Sequence, residues 1–204
     1  MTSLLNQISP SATNQIRLDH MHVLATFHQY EPASSTRLKR GLADSVCLAL
    51  EIHAQLEEEI FYPALALAMD SDMVRKSPVE HGEMRTLMAR LRQMVASDPV
   101  FDETFFELMR LVLHHVADEE TVLLPAAERL IPGQLQDLGA RMARRRLQLA
   151  ASRGGELASS LVRSFSARGV VAAATTVLSG SYLLARHSPL APAWMRRGGP
   201  RAAR

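Results

Sequence analysis

Two stretches of this 204-residue sequence carry the same arrangement of histidine, glutamate and proline. They are HAQLEEEIFYP (53–63) and HVADEETVLLP (115–125), and in each a glutamate follows the histidine by four residues and a proline follows it by ten. Residues four apart on a helix lie one turn apart on the same face, so each stretch presents an imidazole and a carboxylate together. Such a pair is typical of a site for a transition-metal ion.

A second pair of histidines repeats upstream of these stretches. LDHMH (18–22) matches VEHGE (79–83), which pairs His20 with His81, and the two halves are offset by 61 residues at the first histidine and by 62 at the second. Each half therefore has an acidic residue and a histidine, then a helix, then His-x-x-x-Glu-Glu and a proline. This pattern indicates an internal duplication of a helical hairpin.

The neighbours of these residues along the same helix faces are apolar, and a carboxylate on an apolar face is costly unless its charge is compensated. Any one of the histidines alone is better explained as a surface or hydrogen-bonded core residue, but the repeated set favours a multivalent cation. Nitrogen and oxygen donors together suit iron, manganese or zinc and argue against calcium or magnesium. The predicted metal ligands are His20, His53, Glu57, His81, His115 and Glu119.

The elements that must position these residues are helices. The sequence has no sustained alternation of apolar and polar residues, and its long segments are rich in good helix formers. We predict helices over about 12–30, 36–69, 78–96 and 99–130, with a kink at Pro63. Short connections between long helices favour antiparallel neighbours, so the predicted fold is all-α, an up-down-up-down four-helix bundle with an additional basic, helical C-terminal tail.

Charge divides the chain into two regions. Residues 1–133 hold 11 Lys and Arg against 19 Asp and Glu, whereas residues 134–204 hold 12 against 2. We predict a bundle domain over 10–133, a basic helical region over 134–168, and an apolar segment with a disordered basic tail over 169–204.

The basic region has several interpretations. It could be the exposed face of a docked fifth helix, or it could contact a membrane surface or an acidic partner. The apolar run 169–185 is shorter than the roughly 20 residues that a spanning helix needs, which favours peripheral association over spanning. We expect no nucleic-acid partner, because a recognisable module and interleaved aromatic residues are missing.

The single cysteine and the N-terminal sequence indicate the cellular compartment of the protein. Cys47 lies in an apolar run and cannot form a disulfide within the chain. The first residues lack the basic and apolar regions of a secretory signal. We therefore expect a cytoplasmic protein.

The motifs LDH, HAQLEEEIFYP, VEH and HHVADEETVLLP together resemble the hemerythrin-like, HHE cation-binding domain over roughly residues 10–150. The resemblance implies a non-haem centre of two iron ions. It implies that the six predicted ligands bind these ions and that Glu57 and Glu119 bridge them.

The sequence departs from the oxygen-carrying members of the family at two points. They place a further histidine four residues after the one on the third helix, where this chain has Arg85. They also commonly place a carboxylate five residues after the last histidine. Here His114 to Glu119 or His115 to Glu120 gives that spacing. His115 to Glu119 gives a four-residue spacing, and the alignment of the two prolines favours His115. The missing histidine argues against reversible oxygen carriage and favours an incompletely ligated, reactive iron.

The expected function is binding of, or reaction with, a small oxidant (oxygen, hydrogen peroxide or nitric oxide) in sensing, detoxification or stress protection. Catalase-like disproportionation of peroxide is one concrete form, and whether the protein is an enzyme stays open. The alternative is an iron-binding module for iron storage, iron sensing or donation of iron for iron–sulfur cluster repair. A third hypothesis is that the metal is only structural and that the basic C-terminal tail carries the function through a partner or a membrane.

Four carboxylates next to the predicted ligands have two interpretations. They could accept hydrogen bonds from ligating imidazoles on adjacent helices, or they could lie on solvated helix edges. Arg85 likewise is either a charge partner of one of them or a solvated arginine. The four carboxylates are Asp19, Glu58, Glu80 and Glu120.

Overall fold

The protein was analysed as a computed structural model, which describes residues 9–155. The predictions for residues 156–204 lie outside the described residues. Every regular element within 9–155 is helical, as the sequence predicts. No helix in this part of the chain is both long and apolar enough to cross a membrane.

The first half of the bundle consists of α1 (Ala12–Phe27) and α2 (Thr36–Leu56). A π-helical segment (Glu57–Phe61) then joins α2 to α3 (Tyr62–Ala66) without a break. We call α1 the first bundle helix and the continuous unit from α2 to α3 the second.

The second half repeats this arrangement. The third bundle helix is α4 (Asp72–Gln93). The fourth consists of α5 (Phe101–Asp118), a second π-helical segment (Glu119–Leu123) and α6 (Leu124–Leu130). The basic helix α7 (Leu135–Ser152) follows.

Helix α4 begins six residues before the predicted start at Pro78. Ser71 caps it, and its hydroxyl accepts a hydrogen bond from the backbone N–H of Met73 at 3.2 Å. Pro78 lies inside the helix, where it removes one backbone hydrogen bond. The Ser71 cap and the packing of the helix outweigh that loss, so the Ser-Pro pair was the wrong signal for the helix start.

A π-helical segment precedes each proline of the duplicated motif, including Pro63, where a kink was predicted. The backbone N–H of Tyr62 donates to the carbonyl of Glu57, and that of Leu124 donates to the carbonyl of Glu119. Pro63 has no N–H and its ring would clash with the carbonyl four residues before it; one wide turn relieves both problems. Each of the two predicted glutamate ligands is thereby the first residue of a π-helical segment.

Two apolar clusters form the core, and the layer that holds the six predicted ligands lies between them. The first cluster includes residues of α7 as well as of the bundle. It is built around Ile16, Leu56, Phe61, Leu124 and Met142. The second is built around Val23, Leu50, Met88, Phe105 and Val112.

Helix α7 is docked on the bundle, which is one of the alternatives the sequence left open. Its residues Leu138 and Met142 are buried in the first apolar cluster. The side-chain amide of Gln15 on α1 donates to the carbonyl of Gly139 at 2.6 Å. Gly139 lies so close to α1 that a Cβ atom there would be 2.2 Å from the carbonyl oxygen of Pro10. The close approach requires a residue without a side chain.

We expect Gly139→Ala to destabilise the metal-free protein by about 1–3 kcal/mol, because the added methyl group would push α7 away from the α1 backbone. Gly82→Ala is the matched control, since a Cβ at Gly82 meets nothing within 4 Å. That change should be neutral or stabilise by about 0.5–1 kcal/mol through the higher helix propensity of alanine. Thermal unfolding in a chelator measures both; equal melting temperatures would contradict the close contact.

Candidate metal centre

The six predicted ligands meet in the layer between the two apolar clusters. Each bundle helix contributes one histidine, and the second and fourth also contribute a glutamate. None of the six is more than 4% exposed, and Glu57 and Glu119 have no exposed surface. The Nε2 atom of His53 lies 3.2 Å from Oε2 of Glu57, and the Nε2 atom of His20 lies 3.1 Å from Oε2 of Glu119.

The donor atoms form two groups that share one glutamate. In the first, His20, His53, Glu57 and Glu119 each offer an atom within 4.8 Å of the others. In the second, Glu57, His81 and His115 do the same. Glu119 also reaches the second group, because its Oε2 lies 3.5 Å from Nε2 of His115. Two carboxylates between two sets of imidazoles match the requirements of a pair of bridged metal ions.

The chemistry of the donors fits a cation between them. The Nε2 atoms of His81 and His115 face each other at 3.0 Å. The Oε1 atom of Glu57 is buried without a hydrogen-bond partner, although buried carboxylate oxygens are normally paired. Imidazole nitrogens this close together and a buried carboxyl oxygen without a partner are both costly unless a proton or a metal ion lies between the groups.

A ring of four carboxylates surrounds the histidines. Each lies within hydrogen-bond distance of the Nδ1 atom of one imidazole. Because an ionised carboxylate only accepts, the imidazole carries a proton on Nδ1, and its Nε2 atom faces the centre. The pairs are His20–Glu120 at 2.8 Å, His53–Asp19 at 3.4 Å, His81–Glu58 at 2.9 Å and His115–Glu80 at 2.8 Å.

The ring has a fixed direction around the bundle. Each of its carboxylates lies next in sequence to a predicted ligand on its own helix. It contacts the histidine of the following bundle helix, and the carboxylate of the fourth helix contacts the histidine of the first. Asp19 and Glu80 precede a ligand histidine, whereas Glu58 and Glu120 follow a ligand glutamate. The structure thus favours the hydrogen-bonding interpretation of these four carboxylates over the solvated one.

A cation holds each carboxylate of the ring from outside. These ion pairs and the histidine contacts lower the pKa of Asp19, Glu58 and Glu80, although burial alone would raise it. Arg85, left open by the sequence, is one of these cations. The pairs are Arg17–Glu120 at 3.1 Å, Arg85–Glu58 at 2.9 Å, Lys76–Glu80 at 2.6 Å and Arg146–Asp19 at 2.6 Å.

Sequence reasoning missed Tyr62. Its hydroxyl lies 3.1 Å from Oε2 of Glu57 and 2.7 Å from Oε1 of Glu119, and its ring stacks on His81. A hydroxyl has one proton to donate, so both contacts are satisfied when Glu57 is protonated and Tyr62 donates to Glu119. The sequence carried one signal for this residue. Tyr62 precedes the proline of the first motif, whereas Leu124 occupies the equivalent position in the second, so a polar group is present in one half only.

The two glutamates titrate differently in the metal-free protein. Burial and the neighbouring charge of Glu119 raise the pKa of Glu57 well above its usual value. Burial would also raise the pKa of Glu119, but the hydrogen bond from His20 and the charges of the histidines lower it to about 2. Two like charges this close are disfavoured, so one proton remains in the pair.

The histidines also differ from one another. Burial, with the neighbouring histidines, lowers the pKa of His81 to about 4, and burial lowers that of His53. Burial acts in the same direction on His20, but its contacts with Glu119 and Glu120 outweigh it and raise the pKa. His81 and His53 are therefore neutral and able to ligate at neutral pH, whereas His20 holds a proton more firmly.

A small cavity adjoins the histidines on the side of the second apolar cluster. Its volume is about 10 Å³, which is room for about one water-sized molecule. The four histidines form one wall. Asp19 also lines the cavity, and the rest of the lining is apolar, including Val23, Met84, Met88 and Val112.

The structure separates the two adjacent histidines of the fourth bundle helix. The His115 side chain is 4% exposed and points into the centre, whereas that of His114 is 66% exposed. Of the two spacings left open by the sequence, the four-residue spacing from His115 to Glu119 is the one that the structure brings together. His22 and His28 also lie on the surface.

His114 and His115 allow a matched test of the predicted ligands. We expect His115→Ala to lower the bound metal per chain by about one ion, or to weaken one site at least about 100-fold. Loss of a hydrogen-bond partner of a metal ligand lowers metal affinity by about 10- to 100-fold, and loss of the ligand itself should lower it more. His114→Ala should bind metal like the wild type. Elemental analysis of both variants after growth with iron checks this, and equal metal content would refute the assignment.

Metal affinity should rise with pH. Glu57 and His20 have raised pKa values in the metal-free protein and must lose their protons to ligate, so metal uptake releases protons and weakens as the pH falls. Titration with zinc between about pH 6 and 8, with proton release followed in weak buffer, measures the linkage. An affinity independent of pH would contradict the protonated state inferred for Glu57.

Comparison with known proteins agrees with this geometry. The family description "Hemerythrin HHE cation binding domain" matches residues 11–127. The Mycobacterium tuberculosis protein Rv2633c is 31% identical over 114 residues, covering 54% of this chain and 69% of that protein. A DNA nickase from Nostoc is 26% identical over 111 residues, and the matched part is 32% of its length.

One solved structure has a similar fold. It is the hemerythrin HHE cation-binding domain-containing protein of Mycobacterium kansasii, a homologue of Rv2633c, with a TM-score of 0.62 and 23% identity. The match covers 76% of this chain and 99% of that one. The family match over most of the bundle, the shared fold and the buried histidine–glutamate clusters agree, and the chain belongs to the hemerythrin HHE cation-binding family of metal-binding helical modules.

Proposed function

We propose that this protein holds two iron ions at the buried centre and reacts there with a small oxidant, with hydrogen peroxide as the substrate most consistent with the site. The observation that carries the proposal is the pair of fully buried glutamates. Each lies between the two groups of imidazoles, where multivalent cations would compensate the charges of both carboxylates. Oxygen and nitric oxide are the other candidate ligands.

The ligand sets follow from the distances. His20, His53, Glu57 and Glu119 would hold one ion, while His81, His115 and the shared glutamates would hold the other. Each ion would then have two imidazoles and the two shared carboxylates as ligands, which would leave coordination positions open to an added ligand. A bound pair of iron ions would supply redox chemistry: each ion can gain or lose one electron, so the pair can exchange two electrons with a substrate.

The surrounding residues limit what can reach the centre. The cavity of about 10 Å³ admits only a molecule of a few atoms, and its wall of valine and methionine excludes bulk water. No described acidic or basic group other than the ring and the ligands faces this cavity. The site is thus suited to a small, uncharged oxidant.

Peroxide disproportionation balances without another reactant. One hydrogen peroxide is oxidised to oxygen and gives up two electrons and two protons; the other accepts them and forms two waters. The Tyr62 hydroxyl, which contacts both glutamates, would be placed to hold a proton beside the ions between these two half-reactions. The ring of carboxylates keeps the imidazoles oriented throughout.

We expect iron-loaded protein to release one oxygen for every two peroxides consumed, measured with an oxygen electrode. Zinc-loaded protein is the control, because zinc fits the same donors but has no redox chemistry. His114→Ala should retain the activity and His115→Ala should lose at least about 90% of it if one ion is lost.

Two outcomes would count against the proposal. Iron-loaded protein that releases no more oxygen than zinc-loaded protein would refute the peroxide reaction. Iron bound reversibly in excess of two ions per chain, without peroxide turnover, would instead favour the storage function.

A further inference from the structure

Helix α7 lies outside the four bundle helices but reaches the metal centre through one side chain. Nη2 of Arg146 contacts Oδ2 of Asp19 at 2.6 Å, and the same oxygen lies 3.4 Å from Nδ1 of His53. The other three carboxylates of the ring receive their cations from the bundle itself, from Arg17, Lys76 and Arg85.

We propose that Arg146 is a positioning residue for the metal centre, through which the docked basic helix sets the strength of the site formed by His20, His53, Glu57 and Glu119. This inference rests on the proposed metal binding. It assigns to a helix outside the bundle a role in the site, and it gives one of the basic residues after position 133 a partner within the chain.

The Asp19–His53 contact depends on an outside cation more than the other contacts of the ring do. It is the longest of the four, at 3.4 Å against 2.8–2.9 Å for the others. One oxygen serves both His53 and Arg146, so the guanidinium fixes the orientation of the carboxylate as well as compensating its charge. Without Arg146, the partly exposed carboxylate would turn towards water and leave the Nδ1–H of His53 without its acceptor.

The docking of α7 fixes where Arg146 lies. The close approach of Gly139 to the Pro10 carbonyl and the buried Met142 set the position of the helix along α1. Arg146 follows Met142 by one helical turn and is thereby directed at Asp19. The register of α7 and the orientation of His53 are therefore linked.

The adjacent Arg145 provides a matched control on the same helix. Its guanidinium makes a two-point ion pair with Glu59 at 2.7 and 2.9 Å. Glu59 is 38% exposed and is a member of neither donor group nor of the ring. Loss of Arg145 therefore removes an ion pair between α7 and the second bundle helix without removing a contact of the ring.

The test uses the full chain, stripped of metal and titrated with cobalt(II), whose visible absorption reports the number and geometry of its ligands. We expect Arg146→Gln to weaken one of the two cobalt sites about 10-fold, the lower end of the range for outer partners of metal ligands, and to alter its absorption band. Arg145→Gln should remain within about twofold of the wild type. Arg146→Lys, which keeps the charge, should recover part of the affinity.

The outcomes separate this inference from the proposed function. Cobalt titrations of Arg146→Gln and Arg145→Gln that coincide, with two ions bound by the wild type, would overturn the role of Arg146 alone. A wild-type protein that binds no cobalt or iron would overturn the proposed function. If Arg146→Gln loses its helical circular dichroism, Asp19→Asn tests the same link from the bundle side, and an unchanged cobalt band in that variant would refute it.

Discussion

The structure depends on two carboxylates that are completely removed from water. Glu57 and Glu119 lie between two apolar clusters, and in the metal-free protein burial and mutual repulsion keep one proton between them. Tyr62 joins the pair by its hydroxyl, but Oε1 of Glu57 still has no partner. A layer of this composition is unfavourable in an apolar core unless cations complete it, which explains why all four bundle helices direct an imidazole into it.

Around this pair, imidazoles, carboxylates and cations form three successive shells. The imidazoles face the centre, the ring of carboxylates fixes their tautomers, and four cations hold the ring from outside. The cyclic order, in which each helix supplies the acceptor for the histidine of the next, links the orientation of every imidazole to the packing of two helices. Because Arg146 completes the ring at Asp19, part of the positive charge of the C-terminal region compensates the acidic bundle.

The duplicated hairpin supplies equivalent ligands from both halves of the chain, and a few positions at which the halves differ make the site asymmetric. Pro63 and Pro125 each widen one turn, so that both glutamates begin a π-helical segment. Tyr62 on one side and Leu124 on the other make the two halves chemically unequal. A small cavity lies on one face of the histidines and adjoins those of both donor groups.

The sequence by itself determined the all-helical bundle and the six side chains that converge, because histidine–glutamate spacing on a helix and the duplicated prolines are local properties of the chain. It favoured His115 over His114 but left that choice open. It did not determine the start of α4, where the cap at Ser71 prevails over Pro78, or the π-helical segment before Pro63. Only the tertiary structure decided that Tyr62 joins the glutamates, that the ring closes in one direction and that Arg146 reaches Asp19. Those contacts join residues from different helices, and a contact of that kind depends on the packing of whole helices rather than on spacing along one of them.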